Sequence, residues 1–566
     1  MTTSNNTHHH HQNHHGKSTT KFLKSLSQAF LLIGLIVSIS VVILLIDTPV
    51  AFTSEPSGGV SLTTTTISAS HQWALARFGF PSAFHDDLYP SSDTANLPCQ
   101  PSRLHLTQAS NVDAEGLVNM TLSFTIPRHE KKAPHHDCQD IQVTILYGQG
   151  LFADGSSSEG EVLEFHYNAS LAVPELTNYQ SDWIHHMVIP KVQAGRQIYW
   201  YRLIVQADDK KQSNDQPMFL RGTTTPLVGS TRTYTFQTPP VPNQPTSLAL
   251  VGDLGQTENS TKTMHRIYQA TQTDAPIPVS GLVIAGDLSY ADGDPRRWTS
   301  WLELMEPLLR STPLYSVPGN HEIECDASTH EVFQQYESYF RNPNRLGAAK
   351  TLPIPDDYRK TLWSCLTSSQ FLGHYNYGNA FWSVDHGLVH IIGLNSYTST
   401  LPGSPQYQWL NQELQQIDRS VTPWILVVFH CPLHTTFVGH NGEMNSLLML
   451  QTMEPLFVEY QVNIVVSGHD HAYMRTHPMS GMEINDQGPI YLTLGAGGNR
   501  EQHSKGYIHP EPEEWVVKRD IWEYGFGHLQ IPNATHALLT WVRDGTTTEG
   551  IRDAVWLQNQ FYFDKE

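Results

Sequence analysis

The sequence predicts an α/β fold preceded by an all-β domain and an N-terminal transmembrane helix. Three observations predict it. From about Cys99 to Thr238, short runs of alternating apolar and polar residues are separated by turn residues at fairly regular spacing, the pattern of an antiparallel β-sandwich. A proline-rich linker, "TPPVPNQPT" from Thr238 to Thr246, ends that pattern. Beyond it, strand-like apolar runs alternate with helical stretches, which describes an α/β layered domain with both sheet faces covered. A length of 566 residues agrees with two folded domains plus tails.

The chain begins with a low-complexity tail. Six of the 31 histidines lie between His8 and His15, beside Asn and Gly, so residues 1–28 read as disordered and outside the fold. Ala29 to Ile46 carries no charge, and its length is near the lower limit for a spanning helix. Lys17, Lys21 and Lys24 precede it and Asp47 follows, which places the N-terminus in the cytosol and the rest in the lumen or outside. A cleaved signal peptide, giving a secreted protein, is the competing reading. Residues 47–98 form a Ser/Thr-rich stalk. Four glycosylation acceptor sequences, at Asn119, Asn168, Asn259 and Asn533, agree with export. Among five cysteines, Cys99 with Cys138 and Cys325 with Cys365 could pair in an oxidising compartment, leaving Cys431 free; sequence leaves that connectivity open. The net charge of −20 argues against a nucleic-acid partner.

The β-sandwich domain spans 99–240, with strand-like runs such as "VNMTLSFTI", "DIQVTILYG" and "IYWYRLIVQ". The second domain spans 245–566. Its apolar runs are Leu248 to Val251, Leu282 to Ala285, Leu314 to Val317, His390 to Leu394, Trp424 to Phe429, Ile464 to Val466 and Ile490 to Leu494. Between them, "PQYQWLNQELQQIDR" places Tyr407, Leu410, Leu414 and Ile417 at helical spacing, and "WTSWLELMEPLLR" is similar.

Polar residues stand where these runs end. Asp253 follows "LALVG". Asp287 follows "LVIAG", with Tyr290 three residues on. Asn320 and His321 follow "YSVPG", His430 follows "ILVVF", and His469 and His471 follow "IVVSG". The C-terminal edge of an open α/β sheet is where ligands bind. One Gly-Asp after a strand is often only a turn or helix cap, but five strand ends each offering Asp, Asn, His or Tyr predict a metal centre. The donors Asp253, Asp287, Tyr290, Asn320, His430, His469 and His471 exceed what one zinc takes. They suit two ions sharing one carboxylate, a clamp for in-line displacement at phosphorus. Mixed N and O donors without cysteine allow Fe, Zn or Mn.

These stretches resemble the five blocks of the purple acid phosphatases, a family of the metallophosphoesterase (calcineurin-like) superfamily: "GDLGQT" (252–257), "GDLSY" (286–290), "GNHE" (319–322), "VVFH" (427–430) and "GHDH" (468–471). The likeness continues through "SPQYQWL", "GAGGNRE", "NATHALLTW" and "DAVWL" and spans roughly Leu104 to Gln558. It implies a β-sandwich catalytic domain with helices outside, preceded by a fibronectin III-like sandwich. It implies that Asp253, Tyr290 and His471 hold Fe(III), that Asn320, His430 and His469 hold a divalent ion (Zn, Mn or Fe(II)), and that Asp287 bridges them. His321 and His440 would serve the leaving group and the substrate. The first block lacks the ligand His of the superfamily's Ser/Thr phosphatases; the Tyr290 phenolate would replace it and favour Fe(III).

The chain departs from the family in places. Gly439-His440 stands where two adjacent histidines are frequent, His434 occupies an aromatic position, and Met474 replaces a carboxylate in "HAYMR". Asp470, between two ligand histidines, is expected to point away from the metals, toward solvent or a supporting role. The expectation is a di-metal acid phosphatase in which activated hydroxide attacks phosphate monoesters at phosphorus. Small phosphate esters are the expected substrates. A homodimer is left open. One alternative is a phosphodiesterase or nucleotide pyrophosphatase on the same centre; another is a catalytically silent surface binding protein.

Overall fold

Alternation along the first domain produces two facing sheets. In the computed structural model, the described residues are 97–128, 138, 141–149, 155–157, 160–207, 227–272, 277–344, 375–544 and 551–563. The His-rich tail, the expected spanning helix 29–46 and nearly all of the stalk lie outside them, as does Cys365. No described helix is long and apolar enough to cross a membrane.

Strands β1 (Ser102–Gln108), β2 (Leu117–Ile126), β3 (Ile141–Gly148), β4 (Gly155–Ser157), β5 (Gly160–Leu163), β6 (His166–Tyr167), β7 (Tyr179–Gln180), β8 (Trp183–Gln193), β9 (Ile198–Ala207), β10 (Leu227–Ser230) and β11 (Tyr234–Gln237) make up the first domain. One sheet runs β1-β2-β8-β5 and the other β10-β9-β3-β4, with β11 on β9 and β6-β7 a separate hairpin. Leu106, Met120, Leu122 and Phe124 of one sheet and Ile145, Tyr201, Leu203 and Val205 of the other share one core, as inward positions of alternating strands do. Cys99 and Cys138 are joined by a disulfide and Cys431 is free and buried. Cys325 is also disulfide-bonded. Disulfides point to an extracellular or lumenal setting.

The second domain is a mixed α/β assembly of two sheets. Strands β12 (Thr246–Val251), β13 (Gly281–Ile284), β14 (Leu314–Ser316), β15 (Trp382–His386), β16 (Val389–Gly393), β17 (Trp424–Val428), β18 (Ile464–Ser467), β19 (Tyr473–Ser480), β20 (Glu483–Ile484), β21 (Ile490–Leu494), β22 (Val516–Asp520), β23 (Gly525–Ile531), β24 (His536–Arg543) and β25 (Ile551–Gln558) form it. One sheet runs β14-β13-β12-β23-β24-β25; the other runs β15-β16-β17-β18-β21-β19-β20, with β22 on β19. Neighbours among β12 to β14, and among β16, β17, β18 and β21, are parallel. Alternate residues explain the layers. Leu248, Leu250, Val283, Leu426, Val466 and Leu492 fill the space between the sheets. Ala249, Val251, Leu282, Ile425 and Val427 face the helix layer. That layer includes α1 (Glu258–Thr271), α2 (Pro295–Leu309), α3 (Gln334–Tyr339) and α4 (Pro405–Gln416).

The two domains meet through buried polar contacts. The Tyr315 hydroxyl of β14 donates to Gln108 Oε1 at 2.8 Å, and His105 Nε2 and His186 Nε2 lie 2.8 and 2.9 Å from the carbonyls of Tyr339 and Ser338. The Tyr167 hydroxyl lies 3.0 Å from the carbonyls of Glu324 and Cys325. The sandwich thus braces the loop that follows Asn320 and His321.

Candidate metal centre

The parallel strands β12, β13, β14, β17 and β18 end on one side of the double sheet, and the loops they release carry the predicted donors. Close approach of the two sheets needs glycine there: a Cβ on Gly252 would stand 3.0 Å from Gly468 Cα, and one on Gly286 would collide with the His430 ring at 2.4 Å. Asp253, Asp287, Tyr290 and His469 all have left-handed φ, between 53° and 69°. Such angles are uncommon outside glycine, and their clustering at one place is the mark of a site whose geometry the surroundings enforce.

The donors come together in two groups around Asp287. In the first, the Tyr290 hydroxyl lies 3.1 Å from Asp253 Oδ1 and 3.0 Å from His471 Nε2, and that nitrogen is 3.3 Å from Asp253 Oδ1. In the second, His430 Nε2 lies 3.0 Å from Asp287 Oδ2 and 3.2 Å from Asn320 Oδ1. Asp287, His430 and His469 each offer a donor atom within 4.8 Å of the others. All seven predicted ligands are therefore in one cluster.

Hydrogen bonds set the imidazole tautomers. His430 Nδ1 lies 2.7 Å from the Ala285 carbonyl and His471 Nδ1 lies 2.8 Å from the Gln502 carbonyl. A carbonyl can only accept, so each ring donates there and turns an Nε2 lone pair into the cluster. His469 is reversed: its Nε2 meets Glu443 Oε2 at 2.8 Å, which leaves Nδ1. Asp253 Oδ2 accepts the His469 N–H at 2.8 Å, and Asp287 Oδ1 accepts the His321 N–H at 2.9 Å.

Electrostatics agree with a cation site. Burial by itself lowers His430, but the charges of Asp287 and Asp253 outweigh it and hold the ring at about 9. His471 is raised against burial by Asp253. His469 is lowered to about 4 by burial, despite Glu443, so it stays neutral and able to donate a lone pair. Burial, then the Asp253 and Asp287 charges, push the Tyr290 phenol well above its ordinary value; a cation would reverse that. Buried carboxylates facing imidazoles and a phenol form a pocket that takes up positive charge, and this donor chemistry fits a pair of metal ions.

His321 and His440 lie at the same cluster. His321 Nδ1 is 2.5 Å from Asp292 Oδ1, and its Nε2 is 3.8 Å from Asp287 Oδ2. His440 Nδ1 is 2.8 Å from Glu443 Oε1, and its ring lies 3.7 Å, centroid to centroid, from that of His469. Burial lowers His440, but the Glu443 hydrogen bond and the Asp470 charge raise it overall.

Sequence reasoning passed over several neighbours. Asp292 pairs with Arg500, whose Nη1 also donates to the Tyr290 carbonyl at 2.5 Å. Glu443 joins His440 to His469. Glu322 accepts the N–H groups of Asp287, Leu288 and Gly319. Their signal was proximity in sequence to predicted donors, as in "YADGD", "GNHE" and "HNGE". The Tyr397 hydroxyl lies 3.2 Å from Asn320 Oδ1 and receives the buried Cys431 thiol at 3.1 Å; nothing in the sequence pointed to this pair. One expectation needs correction. Asp470 does not reach solvent: it is fully buried, and its Oδ2 accepts the Thr435 hydroxyl at 2.5 Å. The peptide after His469 turns back instead of continuing as a strand, because His469 is left-handed.

Residues 246–473 match the family described as calcineurin-like phosphoesterase, and residues 488–553 match the iron/zinc purple acid phosphatase-like protein C family. The chain is 32% identical to probable purple acid phosphatase 20 of Arabidopsis thaliana over 418 residues, covering 74% of this chain and 82% of that relative. It is 27% identical to Fe(3+)-Zn(2+) purple acid phosphatase 12 of the same plant over 503 residues, 84% and 89% of the two chains. In structure it is similar to purple acid phosphatase PPD1 from yellow lupin seeds, with a TM-score of 0.63 at 20% identity, covering 82% of this chain and 75% of that one; that likeness concerns the fold. The chain belongs to the purple acid phosphatase family of calcineurin-like metallophosphoesterases, and membership implies a binuclear metal site that acts on phosphate esters.

Proposed function

We propose that this protein is a di-metal acid phosphatase that hydrolyses phosphate monoesters and releases inorganic phosphate. Asp253, Tyr290 and His471 would hold Fe(III), Asn320, His430 and His469 a divalent ion (Zn, Mn or Fe(II)), and Asp287 would contact both. The observation that carries this reading is the Tyr290 hydroxyl, buried 3.1 Å from Asp253 and 3.0 Å from His471. A phenol between a carboxylate and an imidazole is a hard, anionic donor set once deprotonated, suited to a ferric ion. The iron and zinc in the name of one relative support the same assignment.

When bound, the two ions would supply a nucleophile from water at acid to neutral pH and neutralise charge on the phosphoryl oxygens. The side chains do the rest. His321 is fixed through Nδ1 by Asp292, so its Nε2 faces the cluster and can pass a proton to the departing alkoxide. His440, fixed through Nδ1 by Glu443, has its other nitrogen for a phosphoryl oxygen. Glu443 connects this substrate-side histidine to the ligand His469, so substrate position and metal position are coupled.

The visible absorption spectrum and metal content of the purified protein, with the Tyr290→Phe variant alongside, test this reading. A broad visible band that the variant lacks is the expected result. An active, metal-loaded protein without the band would overturn the iron assignment. Initial rates on p-nitrophenyl phosphate and its bis-ester test the substrate class: much faster cleavage of the diester would overturn the monoesterase reading.

A further inference from the structure

Asp470 stands between two expected ligands, His469 and His471, and none of the roles above uses it. Its side chain is fully buried. Oδ2 accepts the Thr435 hydroxyl at 2.5 Å, while Oδ1 accepts no hydrogen bond among the described residues. A buried carboxylate oxygen without a donor is costly, so its surroundings bear on why it is there.

What faces Oδ1 is the backbone just before His440. A Cβ placed on Gly439 would meet Asp470 Oδ1 at 3.8 Å and no other atom within 4 Å. In the neighbouring residue pair, the His440 ring lies against the His469 ring, 3.7 Å between centroids. The dipeptides Gly439-His440 and His469-Asp470 therefore lie against one another. Glu443 takes His440 Nδ1 at 2.8 Å. Glu443 thus holds the imidazole by a hydrogen bond, while the Asp470 carboxylate lies beside the backbone that carries it. Thr435, five residues before His440, anchors the second of these carboxylates. A side chain at Gly439 would make ordinary van der Waals contact with Asp470 Oδ1, so the carboxylate lies directly beside the backbone that carries His440.

We propose that Asp470 is a positioning residue for His440: anchored by Thr435 and acting with Glu443, its carboxylate fixes the ring over His469 so that the free nitrogen faces the phosphoryl group of a bound ester. The inference rests on the phosphatase reading above and adds to it a residue that acts through His440 and not on the metals. Substrate affinity should then depend on Asp470 only while His440 is present.

The test uses the metal-loaded full-length protein, titrated with inorganic phosphate by calorimetry, as wild type, D470N, H440A and the double variant. Metal content and the visible band are read on each. D470N is expected to bind phosphate about tenfold more weakly with metal and band unchanged, and to have little further effect in the H440A background, the non-additivity of residues acting as a unit. In turnover, KM for p-nitrophenyl phosphate should rise more than kcat falls. Loss of metal from D470N, an equal loss in the H440A background, or unchanged phosphate affinity would each overturn the proposal. Should D470N fail to fold, T435V carries the test, since it frees Oδ2 without removing a charge. It should weaken phosphate binding about threefold in the same His440-dependent way, and an effect independent of His440 overturns the proposal. A wild-type protein that binds no metal, or hydrolyses no phosphate ester, defeats the underlying reading. One that does both while D470N behaves as wild type defeats this inference alone.

Discussion

Glu322 shows how one side chain can hold a loop of ligands. Its carboxylate is buried and accepts three backbone N–H groups, from Asp287, Leu288 and Gly319. Burial, then the nearby Asp287 charge, raises it to about 7. Glu322→Gln would turn an NH2 toward backbone donors and leave at least one buried N–H without an acceptor. Unfolding free energy is expected to fall by about 1–3 kcal/mol, and the protein should retain less metal because the Asp287 turn loosens. Urea unfolding together with metal analysis checks both; a variant as stable and as metal-rich as wild type would mean that the turn is held by other contacts. The same reasoning separates Asp253 and Asp287 from ordinary turn residues: each carboxylate receives a backbone N–H and sits in left-handed backbone at a sheet end.

At the scale of the element, helix ends fix the donor loops. Thr257 caps α1, accepting the N–H groups of Asn259 and Ser260, while the Ser260 hydroxyl receives the Thr257 N–H at 2.8 Å. This reciprocal arrangement satisfies donors that a helix start leaves free. Ser260 also donates to the Leu254 carbonyl at 2.6 Å, so the cap of α1 holds the residue next to Asp253. Thr257→Ala is expected to cost about 1–2 kcal/mol; thermal or denaturant unfolding measures it, and no change would show that the helix start is held without the cap. The α4 helix begins in the same manner, with Ser404 capping and Pro405 at the first helical position.

For the whole molecule, the contact between the two domains carries a pH dependence. His386, at the end of β15, is fully buried, with Nε2 2.9 Å from Ser280 Oγ and Nδ1 2.9 Å from the Tyr315 hydroxyl, which itself donates to Gln108 of the sandwich. Burial, and secondarily the Arg196 charge, lowers it from 6.5 to about 3. The folded state then binds fewer protons than the unfolded state below pH 6.5. Stability from this residue is complete above 6.5 and declines as pH falls, by about 1.4 kcal/mol per unit, until about pH 3. His390 opposes it: held between Asp385 and Glu413, it is raised despite burial. Its contribution is complete below 6.5 and is lost as pH rises through its folded value. His386→Gln keeps hydrogen-bonding capacity without titrating. Between pH 6.5 and 4.5 its stability should fall less steeply than that of wild type, in unfolding followed across pH; parallel profiles would exclude His386 as the source.

Much of this protein was legible in the sequence because its chemistry is local. Apolar runs ending in Gly-Asp, Gly-Asn-His, Phe-His or Gly-His-Asp-His pointed to the strands β12, β13, β14, β17 and β18 and to the seven expected ligands, though not to Glu443 beside them, since a strand fixes its last residue and the following turn by short-range geometry. The antiparallel strands β19 and β22 to β25 did not stand out, because their alternation is interrupted and their partners lie far along the chain. The sequence by itself determined the donor types, their order and the sandwich-then-α/β arrangement, through periodicity and turn chemistry. Only the tertiary structure decided which atoms meet. It set the Nδ1 bonds of His430 and His471 to carbonyls, the reversed orientation of His469 on Glu443, the clasp of Asp292 on His321 and the burial of Asp470 beneath Gly439. These pair residues 26 to 145 positions apart. No local preference encodes them; they follow from two sheets packing face to face and bringing five strand ends to one edge.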